Sequence, residues 1–224
     1  MTDSFVVAQK IAACPHRELC RSECAVIPKK SPPSPDYIGP RYRDLVIVGA
    51  NPGIASNLGQ ELNDACTFEL QERIANGDRI AFEELQRHLP KSMLGWRQMV
   101  SRSAREYLDY DIEEIAYINL VKCATTVTNS DVHKLFKGAA NDIPKRCWDL
   151  HTQLILESLK PRFVVALWKP VLKSLELLGY RFDGVEKFTS YNGQRNLRSE
   201  EKYEGVKAIF DVFRGRGVSG VNEK

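Results

Sequence analysis

The chain has 224 residues, 43% of them hydrophobic, enough for one α/β domain with a well-buried core and too few for a second large domain. Its 32 Lys and Arg stand against 29 Asp and Glu, a net charge of +3 that permits a local basic patch without demanding one. No window approaches the roughly 18 consecutive apolar residues of a membrane span, and the first apolar run is too short for a secretory segment, so the sequence reads as a cytoplasmic protein with no membrane partner.

Ser4 to Ala13 has the apolar spacing of a short helix, which delivers Cys14, Cys20 and Cys24 of CPHRELCRSEC into a loop. The next stretch, IPKKSPPSPDYIGP, carries five prolines and reads as an extended connector on the surface, neither helix nor central strand. Residues 1–43 thus form a Cys-bearing segment and connector, residues 44–214 the α/β core, and residues 215–224 a flexible tail of the same single domain. Leu45 to Gly49 predicts a buried strand, Thr67 to Ala75 and Ile80 to Arg87 helices, and Gly95 to Leu108 a longer amphipathic helix. Ile115 to Leu120 predicts a strand, Pro144 to Leu159 a helix, Arg162 to Leu167 a strand, Pro170 to Leu178 a helix and Val185 to Thr189 a last strand. A closing helix follows from about Glu200 to Phe213. This alternation predicts an α/β three-layer sandwich, with a central, mostly parallel four-stranded sheet flanked by helices.

In such a sheet the ligand site lies beyond the carboxyl ends of the strands, which directs attention to GANPG, NLVKCATT, LWKP and SYNGQRNLR. GANPG is neither of the glycine-rich nucleotide fingerprints. Either it is a plain turn stiffened by Pro52, with Gly53 supplying conformational freedom, or Asn51 presents an amide that positions a water while backbone N–H groups face a ligand. Asn119 ends the second strand, where its amide offers a donor and an acceptor to the edge of a base, or else bonds its own loop. Six cysteines in a reducing compartment, three of them crowded near the N-terminus, favour metal or iron-sulfur ligation over disulfides.

Taken in order, the N-terminal cysteines, the Pro-rich stretch, DLVIVGANPG, YINLVKC and CWDLHTQLILESLKPRFVVAL resemble the uracil-DNA glycosylase superfamily, in particular its iron-sulfur, family-4-like branch. The resemblance spans Cys14 to about Phe213. It implies a monofunctional DNA glycosylase of base excision repair, hydrolysing the N-glycosidic bond of uracil or another altered base flipped out of DNA; the expected assembly is a monomer. By the same resemblance Asn51 positions the water and Asn119 reads the base, while Gly49, Ala50, Pro52 and Gly53 shape the turn. Phe68, the first aromatic after GANPG, is the candidate stacking platform, although a place in the core suits it equally.

The resemblance also implies a structural [4Fe-4S] cluster held by Cys123, Cys147 and two of Cys14, Cys20 and Cys24, with structural zinc as the alternative. Cys66 fits no ligand position and reads as core packing. In the fourth loop relatives carry HPS or NPS, whereas here Ser190, Tyr191, Asn192, Gly193, Gln194 and Arg195 stand, to contact DNA or fill the gap left by the base. The His that would stabilise the departing base is absent. That leaves open a weakly active or non-cleaving binder of damaged or modified DNA, a glycosylase for a base other than uracil, or a protein acting on a nucleotide. Lys29, Lys30, Arg41 and Arg43 form either a DNA track or the solvated face of the connector. Lys122, the amine nearest to Asn119 in sequence, is expected to point away from it.

Overall fold

Strands β1 (Tyr37–Ile38), β2 (Leu45–Gly49), β3 (Ile115–Asn119), β4 (Phe163–Ala166) and β5 (Glu186–Thr189) form one sheet in the order β1-β3-β2-β4-β5. The computed structural model describes residues 3–23, 32–52, 58–92, 110–124, 142–167, 169–182 and 186–189. The predicted helices Gly95–Leu108 and Glu200–Phe213 lie outside them. β2 to β5 run parallel, and β1 is antiparallel to β3. Every residue of β2, β3 and β4 is buried, which is why these strands read as unbroken apolar runs and not as alternating ones.

Side-chain alternation divides the core. Leu45, Ile47, Ile115, Tyr117, Phe163 and Val165 share one face with Tyr110. Val46, Val48, Ala116, Ile118, Val164 and Ala166 share the other with Ile11, Trp148, Ile155 and Val171. Helix α1 (Ser4–Ala12) therefore packs on that second face, together with α6 (Gln153–Leu159) and α7 (Lys169–Leu177). Helices α3 (Leu58–Ala75) and α4 (Arg79–Ser92) bury Leu70, Ile74, Ala81 and Leu85 against Phe5 and Ala8 of α1. Asp3 caps α1 by accepting the Phe5 N–H, and Asp78 caps α4 by accepting that of Ala81.

Five differences from the sequence expectation stand out. The sheet has five strands, not four, because the connector supplies β1. The same connector is enclosed, not superficial: residues 32–37 are all buried, since its polar groups find partners inside. The Gln71 amide donates to Ser34 Oγ, Gln86 donates to the Asp36 carbonyl, and Ser34 N–H bonds the Lys122 carbonyl. Cys20 lies in helix α2 (Arg17–Glu23), not in a loop. The predicted helix 144–159 is three pieces: α5 (Asp142–Cys147), a π-helical turn Trp148–Thr152, and α6. Such π turns re-aim the side chains that follow them. Helix α3 starts well before Thr67, because Gln60, Glu61, Asn63 and Asp64 dilute the apolar spacing that would mark its first turns.

Candidate functional site

The first two post-strand turns leave the sheet side by side. Beyond the last paired residues, Gly49 and Asn119, Leu120 N–H still bonds the Gly49 carbonyl at 2.9 Å and Val121 N–H the Ala50 carbonyl at 2.8 Å. Asn51 and Pro52 are half-buried, and the Asn51 amide donates to the Pro52 carbonyl at 2.8 Å, which draws the side chain back over its own turn. Asn119 is buried, and its side chain lies over Gly49. A Cβ at Gly49 would stand 2.7 Å from Asn119 Oδ1, closer than side chains approach one another. Glycine at this position is thus what admits the Asn119 amide.

Beneath Asn119 lies a buried ion pair. Lys122 Nζ donates to Asp36 Oδ2 at 2.5 Å and to the Asn119 carbonyl at 2.6 Å, and Asp36 Oδ1 accepts the Asn119 N–H at 2.9 Å. The two side chains are 1% and 2% exposed. The Lys122 ammonium therefore curls back to Asn119, contrary to the expected outward direction. A charge in this interior stays buried only when paired, and Asp36 is the pairing partner. Thr152, at the end of the π turn, donates to the Leu120 carbonyl at 3.1 Å and secures the loop from its other side.

The cysteines meet one loop further on. Cys20, Cys123 and Cys147 share a buried cluster with Val121 and Ile143. Cys14, half-buried before α2, is near enough for its charge to bear on both Cys123 and Cys147. Burial pushes the Cys147 thiol up to about 12, and burial and the neighbouring sulfurs push Cys123 further; Cys14 is raised by burial as well. Thiolates in this setting need positive compensation. Part of it is at hand, because Arg146 donates to Cys20 Sγ at 3.7 Å while forming a two-point pair with Glu23. Tetrahedral zinc, with Zn–S near 2.3 Å, draws its sulfurs to within about 4 Å of one another. Among the described residues no three His, Cys, Asp or Glu are gathered to hold a metal ion. The donor set is all thiol, the kind that both a closed zinc site and an iron-sulfur cluster use.

Several sequence candidates sit elsewhere. Phe68 is half-buried on α3, outside the buried core of Leu70 and Ile74. Cys66 is exposed, not in the core, because it falls on the solvent side of α3. Arg41 pairs with Asp111 and Glu113, and Arg43 with Glu114 while stacking on Tyr110, so these two arginines tie down the connector. Gly53, Cys24, Lys29, Lys30 and residues 190–195 lie outside the described residues. The sequence reading missed Asp36 and Thr152, and misjudged Lys122. The one available signal was a lysine set within the apolar run INLVKCA, where a charge needs a partner.

His151 of the π turn is 4% exposed and its Nε2 has no hydrogen-bond partner. Burial first, then the nearby Lys122 and His16, hold its pKa down to about 4. The fold therefore favours neutral imidazole. Its stability contribution is complete above the unfolded value near 6.5 and is lost as pH falls toward 4, about 3 kcal/mol in all. Denaturant melts at pH 7 and 4.5 are expected to show most of that loss in the natural chain and correspondingly less in His151→Leu.

Set against protein families and against curated proteins, the chain finds no match. Among the described residues no helix is long and apolar enough to cross a membrane.

Proposed function

We propose that this chain is a monofunctional DNA glycosylase of the uracil-DNA glycosylase superfamily, built as a three-layer α/β sandwich and working as a cytoplasmic monomer. The observation that carries the reading is the lodging of the Asn119 amide over Gly49, beside the turn that bears Asn51. Two side-chain amides at the carboxyl ends of neighbouring parallel strands suit a reaction in which no strong base is needed. Asn119 offers donor and acceptor to the edge of a flipped base, and Asn51 orients a water. The bond from sugar C1′ to the base nitrogen breaks with its electron pair leaving on the base. Water then adds to the oxocarbenium-like C1′, and its proton passes to the departing base or to solvent. Preorganised amide dipoles aimed at the charge that develops stabilise this transition state without reorganising as the bond breaks.

Among the described residues Lys122 Nζ is the amine that reaches Asn119, and it is enclosed and ion-paired. That favours simple hydrolysis over a lyase step through a Schiff base. Cys14, Cys20, Cys123 and Cys147 would hold a [4Fe-4S] cluster. Its role when bound is structural, tying α2 and the residues before it to the loop after β3.

An alkaline-cleavage assay on labelled oligonucleotides containing uracil, hypoxanthine, xanthine or modified pyrimidines, single and double stranded, tests the reading. Cleavage of at least one substrate is expected, with loss of about 100-fold or more in Asn51→Ala while DNA affinity persists. No cleavage of any substrate alongside retained DNA affinity would instead favour a non-cleaving binder of modified DNA.

A further inference from the structure

Asn119 sits where the sheet changes its means of support. The β1–β3 pairing joins Tyr37 to Tyr117 and Ile38 to Ala116. Continued by two residues, that register sets Pro35 opposite Asn119. Proline has no N–H to donate, so the ladder cannot satisfy the Asn119 carbonyl from β1. Side chains take over: the Thr152 hydroxyl reaches that carbonyl at a long 3.4 Å, and two charged groups hold the residue more closely. The Lys122 ammonium donates to that carbonyl at 2.6 Å, the Asp36 carboxylate accepts the Asn119 N–H at 2.9 Å, and the two close on each other at 2.5 Å.

We infer that Asp36 and Lys122 are positioning residues, a charged substitute for a missing β-ladder rung that fixes the Asn119 backbone and so aims its amide. The inference rests on the reading of Asn119 as the base-contacting group. Three features favour it over a merely structural pair. Both charges are enclosed, an arrangement that neutral side chains of similar shape would match or exceed in stability. Both backbone groups of one residue, and that residue the site amide, are held. Gly49 leaves the amide so little room that a small backbone shift at Asn119 carries it off its place.

The test uses the full chain as Lys122→Met, Asp36→Asn and the double variant, which leaves no buried charge unpaired. The readouts are the melting temperature, kcat and DNA Kd on the best oligonucleotide substrate, and the side-chain amide resonances of Asn119 in 15N-labelled protein, assigned with Asn119→Ala. Both single variants are expected to melt earlier. The double variant is expected to regain the melting temperature yet keep a shifted or broadened Asn119 amide signal and a kcat about 100-fold below the natural chain, with Kd little changed. Recovery of both signal and rate in the double variant would make the pair structural and overturn the inference, as would an unperturbed amide signal in every variant. If the natural chain cleaves nothing while the Asn119 signal still collapses in the variants, the clamp stands and the glycosylase reading falls.

Discussion

Cys147→Ser is expected to yield colourless protein that lacks bound iron and sulfide and whose helix α2 is opened to proteases. Cys147 ends α5, 4% exposed, in one cluster with Cys20 of α2 and Cys123 of the loop after β3. Ion pairs also hold α2. They include the exposed pair of Arg146 with Glu23 and that of Arg17 with Glu72, and surface pairs contribute about 1 kcal/mol at most. If the thiols only packed, the serine would bury one hydroxyl beside Val121 and Ile143, costing about 1–3 kcal/mol with no change in metal content. Iron and acid-labile sulfide per chain, read beside limited proteolysis, separate the two cases. Cys66→Ser, at an exposed position, is the control and should change stability by less than about 0.5 kcal/mol. Equal iron in Cys147→Ser and the natural chain would remove the ligand assignment, and stoichiometric zinc in place of iron would revive the single-ion site.

Asn119→Ala and Gly49→Ala are expected to impair base release to a similar degree for different reasons. Asn119→Ala removes the amide, at about 10²–10³ in kcat, the usual consequence of deleting one preorganised hydrogen-bonding group. Gly49→Ala leaves every functional atom in the chain but puts a methyl 2.7 Å from where Asn119 Oδ1 now lies. The amide is the movable partner, so the conflict is relieved by rotating it away. The stability change should stay within about 1 kcal/mol while kcat falls most of the way to the Asn119→Ala level. Combining the two substitutions should add little, since the second acts only through the group the first removes. An active Gly49→Ala would show that the amide does not work from this position.

The parallel strands were legible because LVIVG, IAYIN and FVVA are short apolar runs bounded by turns, and both faces of a parallel sheet are covered. The two asparagines were legible for a related reason, each standing at the carboxyl end of such a run. What escaped is long-range. Asp36 lies in a proline-rich stretch that local rules assign to the surface, and partners far along the chain, Lys122 86 residues away among them, bring it inside. The direction of Lys122 depends on Asp36 in return. The π turn at Trp148–Thr152 leaves no mark in the apolar spacing, because inserting one residue into a helix hydrophobic on one side still reads as a helix. Cys20 was placed in a loop because CPHRELCRSEC has too few apolar residues to show helical periodicity. Its burial is supplied by Val121 and Ile143, far along the chain.

Strand β1 has a bearing on how these molecules meet one another. An outer strand ordinarily presents a row of open backbone groups to which a second chain can add, the first step toward cross-strand aggregation. Here the outermost strand on the β3 side is two residues long and is approached through Pro32, Pro33 and Pro35, which have no N–H to offer a newcomer. Among the described residues, that border of the sheet offers a second chain only a short, proline-led edge, a poor template for strand addition.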